Sequence, residues 1–195
     1  MAMSLPHDQG PTDATTAVPG GRLDRLDRAV SRHISMDWPH PRWFAVPLGG
    51  LSLSANYGVL WYVLCLVPWI LGAGDPFWKA LYVAVPVTLV EMTGFLIKQL
   101  IGRVRPPVAD PTQPEQIPMP YSKSFPSSHA SMAVVGAFTL GMLYPQWVPA
   151  LAALALVLMF SRVYLGVHYL GDVLGGLVYG LLWGAAWILL VPAPV

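Results

Sequence analysis

Residues 148–190 read VPALAALALVLMFSRVYLGVHYLGDVLGGLVYGLLWGAAWILL. Two long apolar runs enclose a short segment that carries Arg162, His168 and Asp172. A charged side chain at the centre of a lipid-facing helix costs roughly 2.5–3.5 kcal/mol on insertion scales. Each apolar run approaches the length that crosses about 30 Å of hydrocarbon. The pattern therefore reads as two membrane-spanning helices joined by a polar connection, and the three polar residues need a reason to be there.

The rest of the chain supports a membrane setting. Of its 195 residues 55% are hydrophobic and 11% are charged, less than half the roughly 25% charged residues of a soluble domain. The formal net charge of +1 is too small to make nucleic acid an expected partner. The single cysteine, Cys65, lies in an apolar run. No disulfide or cysteine metal site can form within one chain, and the residue reads as a small buried hydrophobe.

Residues 1–20 are rich in Pro, Gly, Thr and Asp without an apolar core, which predicts a disordered tail and not a cleaved signal peptide. In 21–42, Leu23, Leu26, Val30 and Ile34 fall on one helical face, and Arg22, Arg25, Arg28 and Arg32 mostly elsewhere. This is an amphipathic helix, either lying among lipid headgroups or packed on the protein itself. Residues 43–195 form the expected membrane domain. In it WFAVPLGGLSLSA (43–55) is an interfacial lead-in, and five spans are expected near 56–74, 77–98, 128–144, 146–162 and 171–191. The predicted fold class is all-α: a polytopic helical membrane bundle of about five spans with an amino-terminal amphipathic helix.

Alternating these spans puts the amino-terminal region, the proline-rich loop after the second span and the connection around 163–170 on one side. That side holds ten of the eleven Lys and Arg residues, leaving Lys79 opposite. By the positive-inside rule it is cytoplasmic, which predicts a multi-pass plasma-membrane protein with its polar clusters facing the cytoplasm.

Three clusters converge there. KQLIGRVRP places Lys98 at the end of a span and Arg105 in the loop; FPSSHAS places Ser127, Ser128 and His129 at the start of the third span; the third cluster is Arg162, His168 and Asp172. Lys98, Arg105 and Arg162 supply three cations, and guanidinium forks match phosphate oxygens two at a time. The start of the third span adds unpaired N–H groups, a positive dipole end and the Ser127 hydroxyl. The implied ligand is a phosphate group. His168 and Asp172 are four residues apart, so in a helix beginning by His168 the carboxylate orients the ring, and an oriented ring is a good nucleophile toward phosphorus. His129, from another helix, can protonate the leaving oxygen. The residues thus read as a hydrolase working through a phosphohistidine. Arg103 and Lys123 read as headgroup-contacting cations, and His7, His33 and His40 as satisfied polar groups. Glu91, seven residues before Lys98 and inside a span, reads as a supporting group, structural before catalytic.

Lys98, six intervening residues, Arg105 and Pro106; then PSSH; then Ser161 and Arg162, five residues, His168, three residues and Asp172: this resembles the three-part signature of the type-2 phosphatidic acid phosphatase family. The resemblance implies an all-helical, metal-independent membrane phosphatase. His168 corresponds to the nucleophile, Asp172 to its partner and His129 to the general acid; Lys98, Arg105, Ser127, Ser128 and Arg162 correspond to the phosphate-binding set. Ser128 stands where the family usually has glycine. The amphipathic start replaces the first of the six spans found in many lipid-acting relatives. The expected substrate is an amphiphilic phosphorylated lipid: phosphatidylglycerol phosphate, phosphatidic acid or a polyprenyl-phosphoryl sugar phosphate. Small actinobacterial relatives, which include the decaprenylphosphoryl-phosphoribose phosphatase of cell-wall arabinan synthesis, are similar to this chain. A phosphotransferase to an alcohol, and a non-catalytic phospho-ligand binder or transporter, are the rival readings; the second leaves the His168–Asp172 pair without a purpose.

Overall fold

The computed structural model describes residues 21–70, 76–113, 116–119 and 121–194. The expected tail 1–20 lies outside the described residues. The described chain is all-helical: α1 (Arg22–Arg32), continued by a wider π-turn (His33–Asp37), α2 (Arg42–Ser54), α3 (Val59–Ile70), α4 (Pro76–Ile101), the one-turn α5 (Pro106–Ala109), α6 (Ser128–Leu143), α7 (Val148–Tyr164) and α8 (Leu170–Leu190). The expected all-α membrane bundle is what is observed.

Three stretches are long and apolar enough to cross a membrane: Phe77–Ala109, Pro145–Tyr164 and Leu170–Leu190. The segment expected as an irregular lead-in is helical. It meets the next helix at 59°, and Arg42–Ser54 with Asn56–Pro68 reaches spanning length only as a bent pair. The bend has a local cause: Tyr57 takes φ 54° and Gly58 φ 80°, left-handed values that end one helix before the next begins.

The third expected span, α6, has 16 residues, about 24 Å at a rise of ~1.5 Å per residue. It is the centre of the bundle and packs against α4, α7 and α8. Small residues allow this. A Cβ on Gly176 of α8 would lie 2.5 Å from the Ser127 carbonyl oxygen, and one on Gly180 would lie 2.8 Å from that of Ser131. Glycines one turn apart let two backbones touch where a side chain would hold them apart. On the other flank Trp61 of α3, fully buried, lies across Gly136 of α6. The outward faces carry exposed residues such as Leu100, Leu182 and Leu189, as a surface solvated by lipid chains requires.

At one end of the bundle the amino-terminal segment and both polar loops meet. The Ser31 hydroxyl accepts the Leu170 N–H (2.8 Å), the His40 ring contacts the Tyr164 carbonyl (2.9 Å), and the Gln116 amide reaches the Ser35 carbonyl (3.3 Å). Of its two expected surroundings α1 shows the packing on the protein, made by its polar side, while Leu23 and Leu26 remain 81% and 60% exposed.

Candidate active site

The start of α8 sets the position of the central histidine. The helix begins at Leu170, so His168 precedes it and the two residues do not share a helical face as the sequence suggested. Tyr169 is the N-cap and Asp172 occupies the third helical position, where its Oδ2 accepts the Tyr169 N–H at 3.0 Å. A carboxylate there satisfies an otherwise unpaired backbone donor and suits the positive end of the dipole. The same oxygen lies 3.3 Å from His168 Nδ1. A capping turn, not a helical face, therefore brings the pair together.

The tautomer of His168 follows from its partners. On the other side of the ring, Nε2 lies 2.9 Å from the Arg105 guanidinium. Arginine donates only, so Nε2 must offer its lone pair and Nδ1 carries the proton toward Asp172. Burial first, then the charges of Arg105, Arg162 and Lys98, hold the His168 pKa well below that of an ordinary histidine. The ring is neutral at neutral pH, with an unprotonated Nε2. Arg105 is itself anchored: Nε donates to the Ser122 carbonyl (2.7 Å) and Nη1 to that of Val167 (2.9 Å). A guanidinium stays charged at any working pH.

The remaining expected residues surround a cavity of about 410 Å³ lined by Lys98, Arg105, Ser128, His129, Arg162 and His168, with Glu91, Leu53, Phe95 and Met132 among its other walls. It shares Arg105, Pro118, Met119, Tyr121 and Ser122 with an adjoining cavity of about 620 Å³ under the proline-rich loop. Six of the eight expected catalytic and phosphate-binding residues thus face one space. The other two stand behind it. Asp172 supports His168 from the rear. Ser127, expected among the phosphate contacts, does not line the cavity; its N–H bonds the Asp172 carbonyl at 3.0 Å and its buried hydroxyl has no partner. The N-cap position turns its side chain away from the space that Ser128 and His129 face.

Ser128 has a definite effect. Its hydroxyl oxygen lies 2.5 Å from Lys98 Nζ, so the residue that replaces the usual glycine supplies an oxygen that holds the ammonium at the cavity wall. Glu91 lines the same cavity, and its Oε2 is buried without a hydrogen-bond partner. Among the described residues no group of three or more His, Cys, Asp or Glu side chains is placed to hold a metal ion.

Two contributors were missed in the sequence. Ser52, fully buried on α2, accepts the Arg162 guanidinium at its hydroxyl (2.5 Å) and faces His129 Nε2 with its carbonyl (3.0 Å). A carbonyl only accepts, so Nε2 of His129 carries a proton. Arg103, read as a headgroup contact, is turned inward. It donates to Asp172 Oδ1 at 2.7 Å and to Asp27 of α1 at 2.6 Å. Lys123 lines the adjoining cavity. His33 pairs with Asp37 at 2.8 Å, and His40 stacks on Tyr164; His7 lies outside the described residues.

Comparison with known proteins agrees with this arrangement. Residues 79–194 match the family model described as the PAP2 superfamily. The chain belongs to this superfamily. Among its PAP2 relatives, the lipid A 1-phosphatase of Rhizobium johnstonii is 34% identical over 60% of this chain and 48% of its own length. The decaprenylphosphoryl-5-phosphoribose phosphatase of Mycobacterium tuberculosis is 31% identical over 70% of this chain and 74% of its own. This chain thus spans about half the length of the rhizobial relative. The crystal structure of a PAP2-type phosphatidylglycerolphosphate phosphatase from Bacillus subtilis superposes with a TM-score of 0.66 at 25% identity, covering 89% of this chain and 88% of that one. The family resemblance read from the three motifs is borne out.

Proposed function

We propose that this PAP2 protein is an integral membrane lipid phosphatase that hydrolyses a terminal phosphate monoester through a phosphohistidine. The observation that carries the reading is the tautomer of His168: Nδ1–H donates to Asp172, and the lone pair of Nε2 faces Arg105 in a cavity that Lys98 and Arg162 also line. A bound phosphate draws the N–H groups of Arg105 to its own oxygens and exposes that lone pair. Nε2 then forms a bond to phosphorus as the bond to the leaving oxygen breaks, and His129, held at Nε2–H by the Ser52 carbonyl and protonated at Nδ1 when the phosphate binds, gives the Nδ1 proton to that oxygen. Lys98, Arg105 and Arg162 neutralise the equatorial oxygens, with Ser128 placing Lys98; charge of this kind in a dry site is the main source of rate in phosphoryl transfer. Asp172 stabilises the cationic ring formed in the first step. Water, deprotonated by His129, next attacks phosphorus, releasing phosphate and restoring His168. Side chains supply all the charge in this scheme, and no metal or cofactor is required. Ser127 acts through the backbone that joins α6 to α8, and Glu91 supports the site from the cavity wall.

The substrate is an amphiphilic lipid phosphate drawn from the surrounding membrane lipids. The phosphate sits at the polar end of the bundle, and the adjoining cavity accepts the alcohol it esterifies. The mycobacterial relative, aligned over most of both chains, favours a polyprenyl-phosphoryl sugar phosphate, with phosphatidylglycerol phosphate as the alternative. The excess of Lys and Arg on the loops of one side supports a site on the cytoplasmic face of the plasma membrane, in a phosphatase domain of residues 43–195.

Purified protein in detergent with EDTA is expected to release phosphate from a panel of these lipids, and His168→Ala to lose the activity while keeping its thermal midpoint. Turnover persisting in the variant overturns the nucleophile assignment. A single cysteine placed in the 99–127 loop of a Cys65-free protein is expected to resist an impermeant thiol reagent in intact cells; labelling from outside overturns the cytoplasmic placement.

A further inference from the structure

The proline-rich loop and α1 share a feature that the phosphate-binding scheme does not use. Arg103, two residues before Arg105, sits between three carboxylates: Asp172 Oδ1 at 2.7 Å, Asp27 Oδ2 at 2.6 Å and Asp24 Oδ1 at 3.1 Å. Its guanidinium also lies over the Tyr169 ring, 4.2 Å from the centroid. We propose that Arg103 is a positioning residue for the nucleophile, and that α1 is the element that holds it in place. The proposal rests on the reading of His168 as the nucleophile.

The geometry of Asp172 shows why such a residue is needed. Its side chain is fully buried: Arg103 donates to Oδ1, the Tyr169 N–H and the His168 ring to Oδ2, and the Ser124 hydroxyl also hydrogen-bonds the carboxylate. A carboxylate held at one oxygen can rotate about its terminal bond; one held at both cannot. Arg103 is the charged donor at the second oxygen, so it fixes the plane in which Oδ2 meets Nδ1. It also sets a positive charge 2.7 Å from the buried carboxylate, which favours the ionised form that accepts from His168. The Arg103 guanidinium keeps its charge at any working pH.

Helix α1 is attached to the same point by more than Arg103. Asp27 Oδ1 accepts the Gly171 N–H at 2.7 Å, and Ser31 Oγ accepts that of Leu170 at 2.8 Å. These are first-turn donors of α8, which lack intrahelical partners. A helix more than a hundred residues earlier thus caps α8 from outside. A Cβ on Gly171 would lie 2.6 Å from Asp27 Oδ2, so only glycine admits the carboxylate. Asp27 therefore sets both the start of the helix that carries Asp172 and the direction of the guanidinium that orients it. The amphipathic segment belongs to the catalytic device and is not a separate anchor.

A double-mutant cycle on the full chain in detergent tests this. Arg103→Gln is expected to lower kcat at least about tenfold with KM within about twofold, since phosphate contacts are untouched. Asp27→Asn alone is expected to lose less, and to add nothing in the Arg103→Gln background. Arg103→Lys, which reaches one carboxylate at a time, is expected to fall between and serves if the Gln variant does not fold. The rate at which diethylpyrocarbonate modifies His168, followed by mass spectrometry, is expected to rise in Arg103→Gln, and this readout needs no turnover. Wild-type kcat in the folded Arg103 variants, losses that multiply in the double variant, or an unchanged modification rate each overturn the proposal. A wild-type protein that releases no phosphate from any lipid overturns the phosphatase reading instead, while the modification rates still decide whether Arg103 orients the ring.

Discussion

The close approach of α8 to α6 gives a sharp perturbation: Gly176→Ala. The added Cβ would lie 2.5 Å from the Ser127 carbonyl oxygen and 2.8 Å from Ala130 Cβ. Reaching 3.0–3.4 Å from that oxygen requires the helices to part by about 0.5–0.9 Å, and backbone cannot swing aside as a side chain can. Overpacking of this size costs about 1–3 kcal/mol, while replacing glycine by alanine inside a helix returns about 1 kcal/mol. The net loss is up to about 2 kcal/mol, and the protein is expected to fold. Activity responds more strongly, because Ser127 N–H is bonded to the Asp172 carbonyl at 3.0 Å and the parting occurs between His129 and His168. Misplacement by about 1 Å costs on the order of a hundredfold in rate, so kcat for phosphate release is expected to fall about ten- to a hundredfold. Gly184→Ala is the matched control on the same helix: its Cβ meets only the Phe138 ring, at 3.3 Å, and its activity and midpoint are expected to equal or exceed wild type. Thermal midpoints in detergent and steady-state phosphate release measure both. Equal behaviour of the two variants would refute the packing argument.

Arg105→Gln removes a cation that, after burial, does most to depress the His168 pKa. The neutral ring is the reactive form and prevails above its pKa, so raising that pKa moves the acid limb of kcat/KM to higher pH; a limb that stays or moves down contradicts the assignment. The same change is expected to cost about 10²–10³ in rate, as for a lost transition-state donor. Ser52→Ala deletes the hydroxyl that accepts the Arg162 guanidinium, whose Nε is already without a partner. Leaving buried donors unpaired costs about 1–3 kcal/mol. The carbonyl that faces His129 survives the change, so KM is expected to rise more than kcat falls; the reverse pattern in steady-state kinetics argues against this division.

The motif residues were legible because their signal is local or additive. Hydropathy marks the membrane helices wherever they pack, and six polar residues gathered at one end of apolar segments stand out without a structure. His168 and Asp172 were paired by spacing alone, although the reason differs: the helix starts after His168, and a capping contact does what a helical face was expected to do. Ser127 was drawn into the phosphate set by its place at the start of a span, and the structure leaves it out of the cavity lining, one position behind Ser128. Ser52 and Arg103 carried no signal, since an isolated serine in an apolar run and an arginine beside a span have ordinary explanations. The bent α2–α3 pair was hidden for a similar reason: the left-handed turn at Tyr57 is a property of the backbone, not of composition.

The sequence by itself determined the membrane setting, the helical class and the family, and it singled out the residues proposed to handle phosphate, because each follows from residue type and short-range spacing. The tertiary structure alone decided how those residues are oriented. Arg103 lies 69 positions from Asp172 and Ser52 lies 110 from Arg162. Hydrogen bonds reach only about 3 Å and depend on direction, so such partners become visible only once packing has brought distant segments together. The glycine face of α8 and the polar face of α1 perform that task, and through them the proposed nucleophile in one short loop is tied to the amino-terminal helix.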